Sequence, residues 1–252
     1  MKFGGDFDYE TGGAGYAQIR RTDPRIAAHV HEALGAARTV LNVGAGAGSY
    51  EPADRHLIAI EPSDQMRSQR PAGAVPAIHG FAEDLPLDDH SVDAAMAMIT
   101  VHQWSDQARG LAQLRRVARG PVVVLAFDGP ALGDYWFNDY APELIAAEQK
   151  RFPPVDWIAE QLGGRTQITP IPIPLDCTDG FIEAFYGRPE RLLDPAVRAA
   201  QSSWGFVEPH VAPRLAEQLG ADLASGAWDE RHGALRQAPW FDGSLRLIVS
   251  WP

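Results

Sequence analysis

Thr39-Val40-Leu41-Asn42-Val43-Gly44-Ala45-Gly46-Ala47-Gly48 is the stretch on which the fold turns. Residues 39–43 are β-branched or apolar except for Asn42, and they predict a buried strand stopped by a glycine turn. Glycines permit positive φ and let a ligand press against bare backbone. The spacing is G-x-G-x-G, whereas dinucleotide dehydrogenases use G-x-G-x-x-G. Ser49-Tyr50-Glu51-Pro52 then leaves little room for the helix whose N-terminus would take a pyrophosphate. The turn suits a neutral or zwitterionic nucleoside, and an NAD-dependent oxidoreductase is the disfavoured rival.

Outward from this stretch the same pattern repeats. Residues 56–60 predict a second strand, 74–79 a weaker third, 92–101 a fourth and 121–127 a fifth. A helix over 105–119 presents Leu111, Leu114 and Val117 on one face. Upstream, Asp23-Pro24 caps and opens a helix whose apolar stripe is Ile26, Val30, Ala33 and Leu34. Apolar strands alternating with polar or helical connections imply an α/β fold with a parallel sheet covered on both faces. Downstream, 134–161 is aromatic and helical with a break at Pro153-Pro154. In residues 166–175 three prolines alternate, which only an edge strand tolerates. Helical pieces fill 178–235, and 244–250 is a closing strand.

The chain has 252 residues, with 22 Lys+Arg against 33 Asp+Glu, a formal net charge of -11. That charge disfavours nucleic-acid partners. No apolar run is long enough for a bilayer, and the N-terminus lacks the apolar core of a signal peptide, so no membrane partner and a cytoplasmic location are expected. The single cysteine, Cys177, excludes an intrachain disulfide and a Cys-based zinc cluster. His29 and His31 point to different helix faces, and no metal site is expected. Residues 1–21 are glycine-rich and read either as a mobile lid or as a loose arm.

Three further elements stand in register with the glycine turn. Glu61 follows the second strand, where an acid can accept both ribose hydroxyls of a nucleoside. Pro62-Ser63 and Met66 come next, and Met66 can pack on an adenine face. Then come Gly80-Phe81-Ala82-Glu83-Asp84-Leu85-Pro86-Leu87 and Ser91-Val92-Asp93. Together these resemble the class I S-adenosylmethionine-dependent methyltransferases, specifically the small-molecule type 11 group, over roughly residues 14–127.

The resemblance implies a Rossmann-like methyltransferase sheet of order 3-2-1-4-5-7-6 with an antiparallel last strand and a helical cap. It divides the chain into a lid at 1–21, a methyltransferase domain at 22–128 and 165–252, and a cap at 129–164 with parts of 176–235. It implies S-adenosylmethionine as cofactor and S-adenosylhomocysteine as product. Gly44, Ala45, Gly46 and Gly48 would border the methionine and ribose parts. Glu61 would bind the ribose, Pro62 and Met66 would flank the adenine, Ala82 and Glu83 would lie at its edge, and Val101 would be a further cofactor contact. Tyr16 and Arg20, in a Y-x-x-x-R segment, would clamp the cofactor carboxylate. Asn42 stands where the family often has Asp, and Phe81 where an Asp often meets the adenine amino group. These departures keep open a non-catalytic S-adenosylmethionine-binding module.

Methyl transfer from a sulfonium mainly requires nucleophile and methyl to be held collinear away from water. His102, at the end of the fourth strand, is the candidate base or else a packing residue. The cap offers Tyr135, Trp136, Phe137, Tyr140, Phe181, Phe185 and Tyr186, of which Tyr135, Trp136, Tyr140 and Tyr186, together with Trp104, are candidate walls for a small-molecule substrate, with Arg188 as anchor for a substrate carboxylate.

Overall fold

The computed structural model describes residues 7–8 and 15–252. Most of the expected lid, 1–6 and 9–14, lies outside them. The described part of that segment contains a short helix α1 (Tyr16–Ile19), and α2 (Pro24–Ala33) follows. Asp23 caps α2 as its sequence predicts, accepting from the Arg25 amide at 2.9 Å.

A six-stranded sheet follows, built from β1 (Thr39–Val43), β2 (His56–Ile60), β3 (Ala94–Met98), β4 (Val122–Phe127), β5 (Arg165–Pro170) and β8 (Leu245–Trp251). The order is β2-β1-β3-β4-β8-β5. The four early strands are parallel, and β8 runs antiparallel between β4 and β5. The predicted strand at 74–79 shrinks to one parallel bridge, Ile60 to Ile78. Ile78 donates to Ala59 O at 2.8 Å, but Pro76 has no N–H with which to extend the ladder. With that bridge counted as the third strand, the expected order 3-2-1-4-5-7-6 is observed.

The fourth strand is also shorter than expected, because Ile99 takes a positive φ of 53° and turns the chain out of the sheet. The proline-rich strand does lie at the sheet edge, but it divides. β5 ends at Pro170, and Ile173–Pro174 (β6) pairs instead with Trp240–Phe241 (β7) in a separate ribbon. Pro172, between them, cannot donate to either ladder.

Successive strand residues feed opposite cores, as a period of two requires. Val40, Met96 and Val123 face α2 and the cap, whereas Leu41, Ala97 and Val124 face the other side. That other side is covered by α4 (Gln107–Val117), which follows the short helix α3 (Asp64–Ser68), and by α6 (Val155–Leu162). Residues 155–162, expected in the cap, therefore pack on the sheet. The cap consists of short 3₁₀ turns together with α5 (Pro142–Arg151), α7 (Pro195–Ala199), α8 (Val211–Ser225) and α9 (Ala227–His232). Among the described residues no helix is long and apolar enough to cross a membrane.

Asp23 does more than cap α2. Its second oxygen accepts from the Thr178 amide at 3.0 Å, and Arg25 pairs with it at 2.7 Å. These donors hold its carboxyl down at about 2 although burial opposes this. Asp23→Ala is expected to cost about 1–2 kcal/mol at neutral pH. A group with a depressed folded pKa stabilises above its unfolded pKa, and that stabilisation fades as pH falls through the folded value. The gap between wild type and variant in denaturant titrations should therefore close between about pH 4 and about pH 2.

Candidate functional site

The carboxyl ends of β1, β2 and β3 open into a cleft of about 570 Å³. Its floor is the glycine turn. The Gly44 and Ala45 amides both donate to Ile60 O, at 2.9 and 3.0 Å, which ties the turn to β2. Gly44 has φ 68°, and a Cβ there would lie 2.8 Å from Thr100 Cβ and closer still to its hydroxyl. Gly46 has φ 50°, and its amide donates to Glu61 Oε2 at 2.8 Å. The other Glu61 oxygen accepts from the Ser63 amide at 2.9 Å. Glu61 is 6% exposed, and burial pushes its carboxyl upward. Met66 lies over Gly46, its terminal methyl 3.4 Å from where a Cβ would stand.

The substituted position, Asn42, donates its amide to Glu51 Oε1 at 2.9 Å, and Glu51 pairs with Arg70 at 2.7 Å. A carboxylate is thus supplied at one remove. The Asn42 amide oxygen is buried without a hydrogen-bond partner and belongs to a cleft-lining residue. No helix follows the turn, as the short Ser49–Pro52 connection predicts, and Tyr50 takes a φ of 65°.

Tyr16, Arg20, Gly44, Ala45, Gly46, Glu61 and Met66 all line the cleft. The other expected cofactor contacts stand outside its lining. Gly48 sits against the Glu51–Arg70 pair. Glu83 accepts from the Ser105 hydroxyl at 2.8 Å and the Asp106 amide at 3.0 Å, at the start of α4. Ala82 and Val101 are buried in the core beneath α4. Pro62 offers its carbonyl to Arg67.

A second cavity of about 540 Å³ adjoins the first, and Tyr16, Arg20, Ile99 and Gln103 line both. Its apolar wall is a run of rings: Phe127 lies 5.3 Å from both Phe152 and Phe181. His102 meets Phe152 edge-on at 4.9 Å. Burial, with the nearby Arg151 and Arg20 cations, pushes the His102 imidazole well below its usual range, so it is neutral at physiological pH. Glu183, 2% exposed, holds the Ser244 amide at 3.0 Å, and burial raises its carboxyl to about 7.

The expected substrate walls lie elsewhere. Tyr135 donates to Ile182 O, Trp136 to Tyr186 O and Tyr186 to Ala238 O. Tyr140 donates to Asp222, and Trp104 packs against Gly110. The tips of Tyr135, Trp136 and Tyr186 tie down backbone carbonyls, and with Tyr140 their rings belong to the core shared with the cap, whereas Trp104 lies in the core on the opposite face of the sheet. Arg188 lines neither cavity, and its Nη2 donates to the Cys177 and Ala184 carbonyls at 2.9 Å. Of the three rings on the chamber wall, Phe181 is among the cap aromatics the sequence offers, whereas Phe127 and Phe152 are not among the expected site residues. Phe127 carried a signal, since it ends a strand at the edge of the sheet where ligands bind.

Among the described residues no three His, Cys, Asp or Glu side chains cluster to hold a metal ion. Cys177 is buried, and desolvation with Asp179 and Asp23 raises its thiol to about 12.

The chain is similar to known methyltransferases. Residues 41–125 match a family model described as a methyltransferase domain. A solved structure described as a methyltransferase from an antibiotic biosynthesis pathway of Anabaena variabilis superposes with a TM-score of 0.86 at 30% identity, over 92% of this chain and 99% of that one. An uncharacterized methyltransferase of Mycobacterium tuberculosis is 41% identical over 91 residues, 33% of this chain and 37% of the relative. A ubiquinone/menaquinone biosynthesis C-methyltransferase of Citrifermentans bemidjiense is 29% identical over 110 residues, 37% of this chain and 47% of the relative. The chain thus spans less than half the length of these two curated relatives.

Two measurements test the site. Gly44→Ala combines left-handed backbone strain of about 1–2 kcal/mol with the overlap on Thr100. Adding Thr100→Gly should recover the overlap and leave the strain, read as a partial return of the thermal midpoint. The His102 ring should show no titration by NMR between about pH 6 and about pH 8.

Proposed function

Since this chain belongs to the class I S-adenosylmethionine-dependent methyltransferases of the type 11 group, we propose that it transfers a methyl group from S-adenosylmethionine to a small, largely apolar molecule held in the phenylalanine-walled chamber. The observation that carries this reading is the shared wall. A glycine-floored cleft and a chamber with a phenylalanine wall meet at Tyr16, Arg20, Ile99 and Gln103, so a nucleoside ligand and an acceptor can lie side by side.

The cleft fits the nucleoside cofactor on three counts. Bare backbone at Gly44 and Gly46 allows close approach. Glu61 keeps acceptor capacity beyond its two amide partners, since a carboxylate offers about four lone-pair sites. The Asn42 amide oxygen is a buried acceptor with no protein partner. When bound, the cofactor supplies an electrophilic methyl group on a sulfonium.

The chain's own residues then have three tasks. Glu61 and the glycine turn hold the nucleoside. The Phe127, Phe152 and Phe181 rings exclude water and orient the acceptor, which is where most of the rate gain of an in-line displacement arises. Neutral His102, at the chamber wall, can hydrogen-bond the acceptor, while the burial and cations that disfavour its protonated form weaken it as a base. The reading extends to a cytoplasmic setting without nucleic-acid or membrane partners, supported by the acidic balance and by a buried, unpaired thiol.

Calorimetric titration with S-adenosylmethionine, S-adenosylhomocysteine and NAD tests the first half. Both adenosyl ligands should bind and raise the thermal midpoint, and NAD should do neither. Glu61→Ala should weaken S-adenosylhomocysteine by about tenfold. Phe152→Ala should leave that affinity within about twofold while lowering turnover of an apolar acceptor about tenfold or more. Cofactor binding with no transfer to any acceptor would instead mark a binding module.

A further inference from the structure

Arg20 stands where cleft and chamber meet, and its guanidinium is clamped. Nε donates to Asp179 Oδ1 at 2.6 Å, and Nη2 lies 3.4 Å from Oδ2. The Tyr50 hydroxyl donates to the same Oδ2 at 2.7 Å. Asp179 is 2% exposed.

Backbone contacts lock the arrangement. Arg20 and Asp179 form an isolated antiparallel bridge, and the Gly180 amide donates to Ile19 O at 3.0 Å. A Cβ on Gly180 would stand 2.6 Å from Ile19 Cγ2, so the two segments meet only because residue 180 has no side chain. Gln201 closes the bridge from behind, donating to Gly180 O at 2.5 Å.

A guanidinium is a planar fork, so fixing one edge fixes the other. With Nε and Nη2 on Asp179, Nη1 has no hydrogen-bond partner among the described residues. The pair is close to electrically neutral. A zwitterionic ligand head can therefore enter without leaving an uncompensated charge in a buried site.

We propose that Asp179 is a positioning residue: it orients Arg20 so that the free guanidinium edge receives the carboxylate of the cofactor's amino-acid head, with Tyr50 in turn orienting Asp179. This rests on the cofactor reading given above. A merely structural clamp would join the N-terminal segment to the second half of the chain without sensing that head.

The two roles separate on a pair of ligands. S-adenosylhomocysteine carries the amino-acid head, and 5′-methylthioadenosine is a nucleoside thioether that lacks it. Wild type should prefer the former. Asp179→Asn should weaken S-adenosylhomocysteine by about tenfold or more, with 5′-methylthioadenosine changed by less than about twofold in calorimetric Kd. Tyr50→Phe should give a smaller loss in the same sense, and it carries the test alone if Asp179→Asn does not fold. Equal weakening of both ligands, unchanged S-adenosylhomocysteine affinity in the variants, or no wild-type preference overturns the positioning role and leaves the methyltransferase reading standing. Wild type that binds neither ligand overturns the cofactor reading and the positioning role together.

Discussion

The rest of the site depends on there being no side chain at residue 44. The chain leaves β1 within van der Waals reach of Thr100, where any Cβ would overlap it. That closeness lets the turn fold back onto β2 through two amides on Ile60 O. It also brings Gly46 to the Glu61 carboxylate. The cleft is thus a by-product of a packing constraint between two neighbouring strand ends, which explains why it forms at the carboxyl edge of the sheet.

The two halves of the chain meet at this edge through buried acids. Asp23 reaches the Thr178 amide and Asp179 reaches Arg20 and Tyr50, while within the second half Glu183 ties the cap to Ser244 just before β8. Each is nearly inaccessible to solvent. A buried carboxylate that loses its donors is costly, so these contacts hold the cap in one place more firmly than apolar packing alone would. The same contacts make the walls of both cavities dependent on residues far from the glycine turn.

What could be read in advance follows sequence distance. The glycine turn, Glu61, Met66, the Asp23 cap and the buried parallel strands announce themselves through spacing within a few residues, and the structure has them in place. The antiparallel last strand came from the resemblance and was also found. The chamber was legible only in part, through Phe181 among the cap aromatics. Phe127, Phe152 and Phe181 lie in different segments, and nothing in their spacing shows that their rings meet. Tyr135, Trp136, Tyr140 and Tyr186 looked like pocket walls because aromatic density alone does not distinguish a ligand surface from a core. The third strand failed for a local reason, the missing donor at Pro76. The fourth failed for a tertiary one, because Ile99 adopts a backbone conformation that a β-branched residue avoids unless its surroundings impose it.

The position of β8 has a consequence for how such a chain is made. It lies between β4 and β5, yet it is the last strand in sequence. Until it emerges, the apolar edge of β4, Val122–Phe127, has no partner on that side. During synthesis the half-built sheet therefore carries an open, sticky border, of the kind that invites pairing with another nascent chain. Late closure of so central a strand also requires a long loop to be ordered before its contacts form, which slows folding. A ribosome that stalls before residue 245 would release a product with its methyl-donor motifs intact and its sheet unzipped.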